Sequence, residues 1–193
     1  LPIYGVLCHW WNNYCNKRPV FIGQDVERTV KEADPNDSSR HQQYAKYDLQ
    51  RSLKNIQGSC QWYAAACVNN PGNYRTMLQQ VYHSTPALQP LMPFIDKKAP
   101  GKPQNVNLRT FAMTGTVLSW EAPRAKKEMD RARQYVIYRF APGEKVNLNN
   151  SENIQAITSG YSYTFPSLKK GSTIVITALD RLHNESKPVK VKL

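Results

Sequence analysis

The stretch that decides the fold of the first half is "RPVFIGQDVERTV", residues 18–30. Its apolar run, "VFI" at 20–22, has no polar alternation and ends abruptly in the polar turn residues "GQD" at 23–25. A continuous apolar run that ends in turn residues is typical of a strand buried on both faces, as in parallel sheets covered by helices. The sequence therefore predicts a buried parallel strand at about 19–23, with polar side chains at its carboxyl end.

Helical patterns flank this strand. Apolar residues recur at helical spacing over 4–15, and further helices are predicted over 44–53 and 74–82, with a second buried strand at 56–64. The order α-β-α-β-α predicts a parallel sheet with helical cover. Two parallel strands cannot close a barrel, which needs eight strands and about 250 residues. Because Leu1 is neither an initiator methionine nor the start of a signal peptide, we expect the chain to begin inside a longer polypeptide.

The second half has a different pattern. Seven short strands follow one another within about 95 residues, including "TVLSW", "RQYVIYRF", "NIQAIT" and "STIVITALD", with turn residues every eight to twelve positions. This spacing predicts an immunoglobulin-like sandwich. The proline-dense segment 86–103, "PALQPLMPFIDKKAPGKP", is predicted to be a linker, which places the domain boundary near Lys98 and the domains at 1–98 and 99–193.

The chain is basic and globular. It has a formal net charge of +12 and 40% hydrophobic residues, which excludes a wholly disordered chain. The densest cationic groups are "RAKK" at 124–127, "KK" at 169–170 and "KPVKVK" at 187–192, the last typical of a protected edge strand. No nucleic-acid-binding motif accompanies them, so we expect no nucleic-acid partner. If the chain did bind nucleic acid, its affinity would fall steeply as the salt concentration rises. No apolar run is long enough to span a bilayer.

Cysteines and histidines show no metal-ligand spacing. The four cysteines, Cys8, Cys15, Cys60 and Cys67, contain no C-x-x-C pair, and the four histidines are scattered. We therefore expect no metal site and no cofactor. The thiols are predicted to be buried, with a Cys60–Cys67 disulfide as the open alternative.

Part of the second half resembles a known module. "LSWEAP", "YVIYRF" and "ITALDRLHNESKPVKVKL" resemble the fibronectin type III module, with Trp120 as its core tryptophan. One departure is Ile174, at a position where this module usually carries a tyrosine. The resemblance implies an all-β sandwich over 99–193.

The first half resembles an enzyme-like family. "WWNNYCNKRPVFIGQDV", "NIQGSCQWYAA" and "YHSTPALQPLMPFIDKKAP" resemble the closing units of the glycosyl-hydrolase-like family 10 barrels, bacterial cell-envelope proteins that often carry a fibronectin-like module. The resemblance implies that 19–23 and 57–63 are the last two strands of an incomplete TIM-type barrel. It also implies a carbohydrate-active, periplasmic or secreted protein that binds poly- or oligosaccharide. The open sheet edge would be covered by a missing upstream barrel segment or by a second copy of the chain.

Candidate site residues lie where the two strands end. Gln24 and Asp25 follow the first strand, and Gln61 and Trp62 stand at the matching edge of the second. Amide groups can pair with sugar hydroxyls and an indole ring can pack on sugar C–H groups, so Gln24, Gln61 and Trp62 are the predicted substrate contacts. The simpler interpretation of these residues is ordinary packing at the end of the sheet.

A catalytic role is harder to support. Glycosidases use two carboxylates that flank the scissile bond, and Asp25 is the only candidate at a plausible position. Its simpler role is to cap the helix that follows. We therefore expect the isolated chain to be inactive, and a noncatalytic carbohydrate-binding or spacer module is the alternative function. Such a module would expose a row of aromatic residues on the sandwich, but Tyr161 and Tyr163 alternate with polar residues and are predicted to pack inward.

Overall fold

The computed structural model describes residues 2–193, which form two compact units. The first unit ends at Ser84 and the second comprises Thr85–Leu193. The proline-dense segment thus lies within the second unit, where the half-buried Leu88 packs against the core.

The first unit alternates short helices and strands. Its elements are α1 (Pro2–Tyr14), β1 (Val20–Asp25), α2 (Val26–Thr29), β2 (Ala33–Asp34), β3 (Asp37–His41), α3 (Gln43–Ser52), β4 (Ile56–Trp62), α4 (Ala65–Asn69) and α5 (Tyr74–Met77), with a π-helical turn at Leu78–Tyr82. The segment "DPNDSS" at 34–39 runs from the end of β2 through the hairpin turn into β3, and α3 begins after Gln42 without a side-chain cap.

Strands β1 and β4 pair in parallel, with Gln24 opposite Gln61 and Asp25 opposite Trp62. One face of this pair packs against α1 and α3 through an apolar cluster centred on Cys8, Leu53 and Ile56. The other face is uncovered, because Phe21 remains 51% exposed and Trp62 71% exposed. The prediction of a strand buried on both faces is therefore wrong for β1.

The predicted fold class, an α/β segment consisting of the last units of an incomplete TIM-type barrel, is also wrong. Within residues 2–193 the only parallel sheet has two strands, and every other sheet is small and antiparallel. An arc of a barrel would need further parallel strands beside β1 or β4, and the described residues supply none. Hydrophobic periodicity predicted the parallel strands themselves, but it carries no information about how many strands share a sheet.

A second cluster in the first unit gathers around the tyrosines of α3 and α5. It contains Val26, Tyr47, Ala66, Tyr74, Met77 and Tyr82. Tyr82 donates from its hydroxyl to Oδ1 of Asp48 at 2.7 Å, and its ring stacks on Tyr47 with 4.7 Å between the ring centroids. Because their hydroxyl groups have partners, these tyrosines can fill the core without leaving a buried polar group unsatisfied.

The second unit is a β-rich, sandwich-like fold. Its strands are β5 (Gln104–Phe111), β6 (Gly115–Glu121), β7 (Gln134–Phe140), β8 (Ile154–Thr158), β9 (Ser162–Phe165), β10 (Thr173–Leu179) and β11 (Val189–Lys192). They form a three-stranded sheet in the order β5-β6-β9 and a four-stranded sheet in the order β11-β10-β7-β8. All pairings are antiparallel.

The core of this unit lies between the two sheets. Alternate residues of both sheets build it, namely Leu118, Trp120, Tyr135, Ile137, Phe165, Ile174, Ile176 and Ala178. Strand β10 is buried on both faces, because Leu88, Val146 and Leu148 pack over a second cluster, which includes Val175, on the outer side of the four-stranded sheet. This double burial explains why "TIVITAL" contains no charged residue.

Candidate functional site

An open cleft of about 380 Å³ lies at the carboxyl ends of β1 and β4. Asp25 and Trp62, which are opposite each other in the parallel pairing, both line this cleft. The remaining lining residues are Glu27, Arg28, Lys31, Glu32 and Tyr63. The cleft thus places an exposed indole ring among carboxylates, cations and a phenol.

Asp25 caps α2, as the sequence predicted. Its Oδ1 accepts a hydrogen bond from the backbone N–H of Arg28 at 3.1 Å, and its backbone is extended as an N-cap requires. The carboxylate remains exposed at the cleft. One oxygen of the Asp25 carboxylate therefore caps the helix, while the side chain stays accessible to solvent.

Glu27 and Tyr63 form the other side of the cleft. The Tyr63 hydroxyl donates to Oε1 of Glu27 at 2.8 Å, and this hydrogen bond to a carboxylate raises the pKa of Tyr63 above its ordinary value. The peptide bond between Trp62 and Tyr63 is cis. Sequence reasoning missed both residues, although Glu27 is two residues from Asp25 and Tyr63 is next to Trp62, and this nearness to the named candidates is the signal that could have found them.

Gln24 and Gln61 lie on the opposite face of the sheet. Gln24 is only 2% exposed and donates from Nε2 to the Tyr4 hydroxyl at 2.6 Å. Gln61 donates to the Tyr47 hydroxyl at 2.9 Å and accepts from the Tyr74 hydroxyl at 2.6 Å. The structure therefore brings Asp25 and Trp62 together and places the two glutamines among the covering helices.

A buried cation lies beneath the same sheet. Lys46 of α3 is 8% exposed, and its Nζ is 4.7 Å from the centroid of the Tyr4 ring. Burial lowers the pKa of Lys46, and the negative charge of Asp25 opposes this shift. Asp25 thus partly offsets the effect of burial on the pKa of Lys46.

Metal-ligand side chains, long apolar helices and cysteines were the remaining features considered in the sequence. Within residues 2–193, no group of three His, Cys, Asp or Glu side chains is placed to hold a metal ion, and no helix has the length and apolarity to cross a membrane. All four cysteines are free thiols. Cys8 is buried as predicted, but Cys60 is exposed because it lies on the uncovered face of β4.

One aromatic residue of the sandwich differs from its prediction. Tyr161 lies in the turn before β9 and is 56% exposed, so the expectation that it packs inward is wrong. Tyr163 is half-buried and packs on Phe165, with ring centroids 4.8 Å apart. Because β9 begins at Ser162, Tyr161 lies before the strand, and the alternation of inward and outward side chains along a strand does not fix its orientation.

Comparisons with known proteins show what the chain is similar to in sequence. No family model matches it. It is 29% identical over 189 residues to a Bacillus subtilis (strain 168) protein named glycosyl hydrolase YngK. The alignment covers 97% of this chain and 37% of that protein, so the chain spans little more than a third of the length of its relative. The chain is therefore related in sequence to a glycosyl hydrolase.

Solved structures add little. Domains A168–A170 of titin and the titin kinase with its flanking domains each give a TM-score of 0.37 at 14% identity, and cover 49% of this chain and 32% and 17% of their own. A myokine structure gives a TM-score of 0.33 at 16% identity, covering 48% of this chain and 96% of its own. Similarities at these TM-scores identify neither the fold nor the function of the chain.

Proposed function

We propose that this chain is a carbohydrate-binding part of a glycosyl-hydrolase-related protein of the cell envelope, and that the cleft at the ends of β1 and β4 contacts the sugar. The observation that carries the proposal is Trp62, which is 71% exposed beside three carboxylates, two cations and a phenol in one cleft. The sequence relation to a glycosyl hydrolase supports the ligand class.

The chemistry of the cleft suits a sugar. A flat indole face packs on the C–H groups of a pyranose ring. Around it, the carboxylates of Asp25 and Glu27 can accept hydrogen bonds from sugar hydroxyl groups, and Arg28 can donate them. A cleft of about 380 Å³ is near the lower end of the size range of small-molecule sites, and its open form suits one unit of a longer chain.

Binding without turnover is the proposed role of the chain alone. Asp25 is engaged as a helix cap and Glu27 accepts from Tyr63. Among the described residues, Glu32 is the one cleft carboxylate whose side chain forms no hydrogen bond or ion pair, so a single carboxylate is left without a structural partner. A glycosidase needs one carboxyl group that gives a proton to the leaving oxygen and a second that attacks or activates water. We expect no hydrolysis of aryl glycosides or glucans by this chain.

Titration calorimetry with a panel of soluble neutral polysaccharides tests the proposal. Trp62→Ala is expected to weaken binding by about tenfold or more, because truncating an exposed aromatic anchor removes most of its contact energy. Phe111→Ala is the matched control, since Phe111 is 50% exposed on the separate sandwich unit. Equal affinities of wild type and Trp62→Ala for every glycan that binds would refute the proposed role of the cleft.

A further inference from the structure

The sandwich unit contains a basic pocket that shares no residue with the cleft of the first unit. The pocket has a volume of about 490 Å³ and lies under the loop that joins β6 to β7. Its charged lining residues are Lys126, Lys127, Glu128, Arg131 and Arg133, and Tyr161 supplies the one aromatic ring of its lining. Four cations against one carboxylate give the pocket a strongly positive character.

Within residues 2–193, the arginines of the pocket form ion pairs, whereas its lysines do not. Glu128 pairs with Arg131, with 3.8 Å between Nη1 and Oε2, and also with Arg133. In the part of the chain that the structure describes, Lys126 and Lys127 form no ion pair, and both are exposed. The single carboxylate of the pocket is thus paired with the arginines, and the two lysines have no carboxylate partner among the described residues.

The loop is held at several points, so the pocket is preformed. The backbone N–H of Arg133 donates to the carbonyl oxygen of Leu179 at 2.7 Å, where the loop enters β7. The 3-10 turn Glu128–Asp130 carries the buried Asp130, which is paired with Lys98. Anchoring of this kind lowers the ordering cost of binding.

The aromatic wall is equally fixed. The carbonyl oxygen of Tyr161 accepts from the backbone N–H of Trp120 at 3.0 Å, and the Tyr161 ring lies 5.9 Å from the ring of the buried Tyr135. Its position against the core leaves the other side of the ring free, since Tyr161 is 56% exposed. The pocket therefore combines a fixed ring with two exposed ammonium groups.

We propose that this pocket binds an anionic sugar unit of a polysaccharide, with the ring of Tyr161 against the sugar and with Lys126 and Lys127 on its acidic group. This deepens the proposed carbohydrate function by adding a second site with a defined ligand charge. Ammonium groups pair with a carboxylate or a phosphate as point charges, so both kinds of acidic polymer share the required chemistry. A nucleic acid fits the pocket less well, because proteins bind single strands through several aromatic rings on which the bases stack, and this pocket has one such ring.

Titration calorimetry of the full chain tests the pocket, with polygalacturonate as the carboxylate polymer and polyphosphate as the phosphate polymer. The double variant Lys126→Gln/Lys127→Gln is expected to lose about tenfold or more in affinity, and Tyr161→Ala is expected to weaken binding of polygalacturonate but not of polyphosphate. The matched control is Lys169→Gln/Lys170→Gln, an exposed lysine pair outside the pocket lining that removes the same charge.

The outcomes separate the two proposals. An equal loss in both lysine double variants shows general attraction to polyanions and overturns the pocket. A single-stranded RNA of matched charge that binds more tightly than polygalacturonate, or unchanged polygalacturonate affinity in Tyr161→Ala, overturns the assignment to a sugar. Because the cleft of the first unit is tested with neutral glycans and Trp62→Ala, either site can fail without the other.

Discussion

Tyr74 donates its hydroxyl hydrogen to Oε1 of Gln61 at 2.6 Å, and this bond ties α5 to the carboxyl end of β4. Tyr74 is fully buried, and its hydroxyl also lies 3.3 Å from that of Tyr47. Burial raises the pKa of Tyr74 well above its ordinary value, so the phenol remains a neutral donor across the physiological range. Gln61 is therefore a structural residue of this network.

Removal of this donor is expected to destabilise the first unit. Tyr74→Phe leaves Oε1 of Gln61 without its donor, which costs about 1–3 kcal/mol of unfolding free energy. Urea unfolding followed by tryptophan fluorescence measures this loss. Tyr63→Phe removes a hydroxyl at the exposed cleft and is expected to change stability by less than about 0.5 kcal/mol. Equal losses in the two variants would contradict the structural role of Gln61.

The cap at Asp25 allows folding and binding to be separated. Asp25→Ala removes the acceptor for the N–H of Arg28 and is expected to cost about 0.5–2 kcal/mol of stability, whereas Asp25→Ser keeps a capping oxygen and most of the stability. If the carboxylate also contacts sugar, Asp25→Ser will fold normally but bind glycan less tightly. Thermal unfolding and calorimetric titration of both variants decide this. A fully stable Asp25→Ala protein would exclude the cap as an energetic contribution.

Stability is expected to fall between pH 7.5 and pH 5. Burial lowers the pKa of His41, whose ring lies 5.0 Å from that of Tyr44, and burial also lowers the pKa of His83. Below about pH 6.5 the unfolded chain takes up these protons before the folded chain does, so the folded state loses stability until the pH has passed the lowered pKa values. At about pH 7.5 and above, the histidines are nearly all neutral in both states and the loss is absent.

His41→Gln is the variant for this prediction. It should have a flatter dependence of the thermal midpoint on pH over the same interval, with the remaining slope due to His83. Circular dichroism melts at half-unit steps of pH provide the measurement. A wild-type midpoint that rises on acidification from pH 7.5 to pH 5 would show that other groups dominate.

The outer face of α1 is expected to be covered by a second copy of the chain. The helix contains no charged residue, yet it exposes Ile3, Val6, Leu7, Trp10, Trp11 and Tyr14, and Phe21 of β1 is exposed as well. A wide apolar stripe on a helix is normally packed against another surface. Since about half or more of the surface of each of these side chains is exposed, together they present on the order of 700 Å², close to the roughly 800 Å² that each partner hides in a standard interface.

Light scattering across a concentration series tests this association. Val6→Glu and Trp10→Glu are expected to shift the chain toward monomer, because an unpaired charge in an apolar interface is costly to bury. Met113→Glu is the control, since Met113 is 97% exposed in the β5–β6 turn of the other unit. A wild-type chain that stays monomeric at high micromolar concentration would refute the dimer.

Local periodicity determined much of this protein. The three- and four-residue spacing of apolar side chains predicted α1, the run at 20–22 predicted β1, and the alternating segments of the second half predicted a sandwich-like unit. These patterns depend only on neighbours along the chain, and each element follows its own pattern. The capping role of Asp25 was equally local, because the cap and its partner are three residues apart.

Only the tertiary structure decided the rest. The number of strands beside β1, the side of the sheet on which Gln24 and Gln61 lie, and the meeting of Tyr161 with the 122–133 loop all depend on contacts between residues far apart in sequence. A strand pattern states that two faces alternate, but not which face finds helical cover. In this chain the helices cover the glutamine face, and so Trp62 and Asp25 are left at the surface where a ligand can reach them.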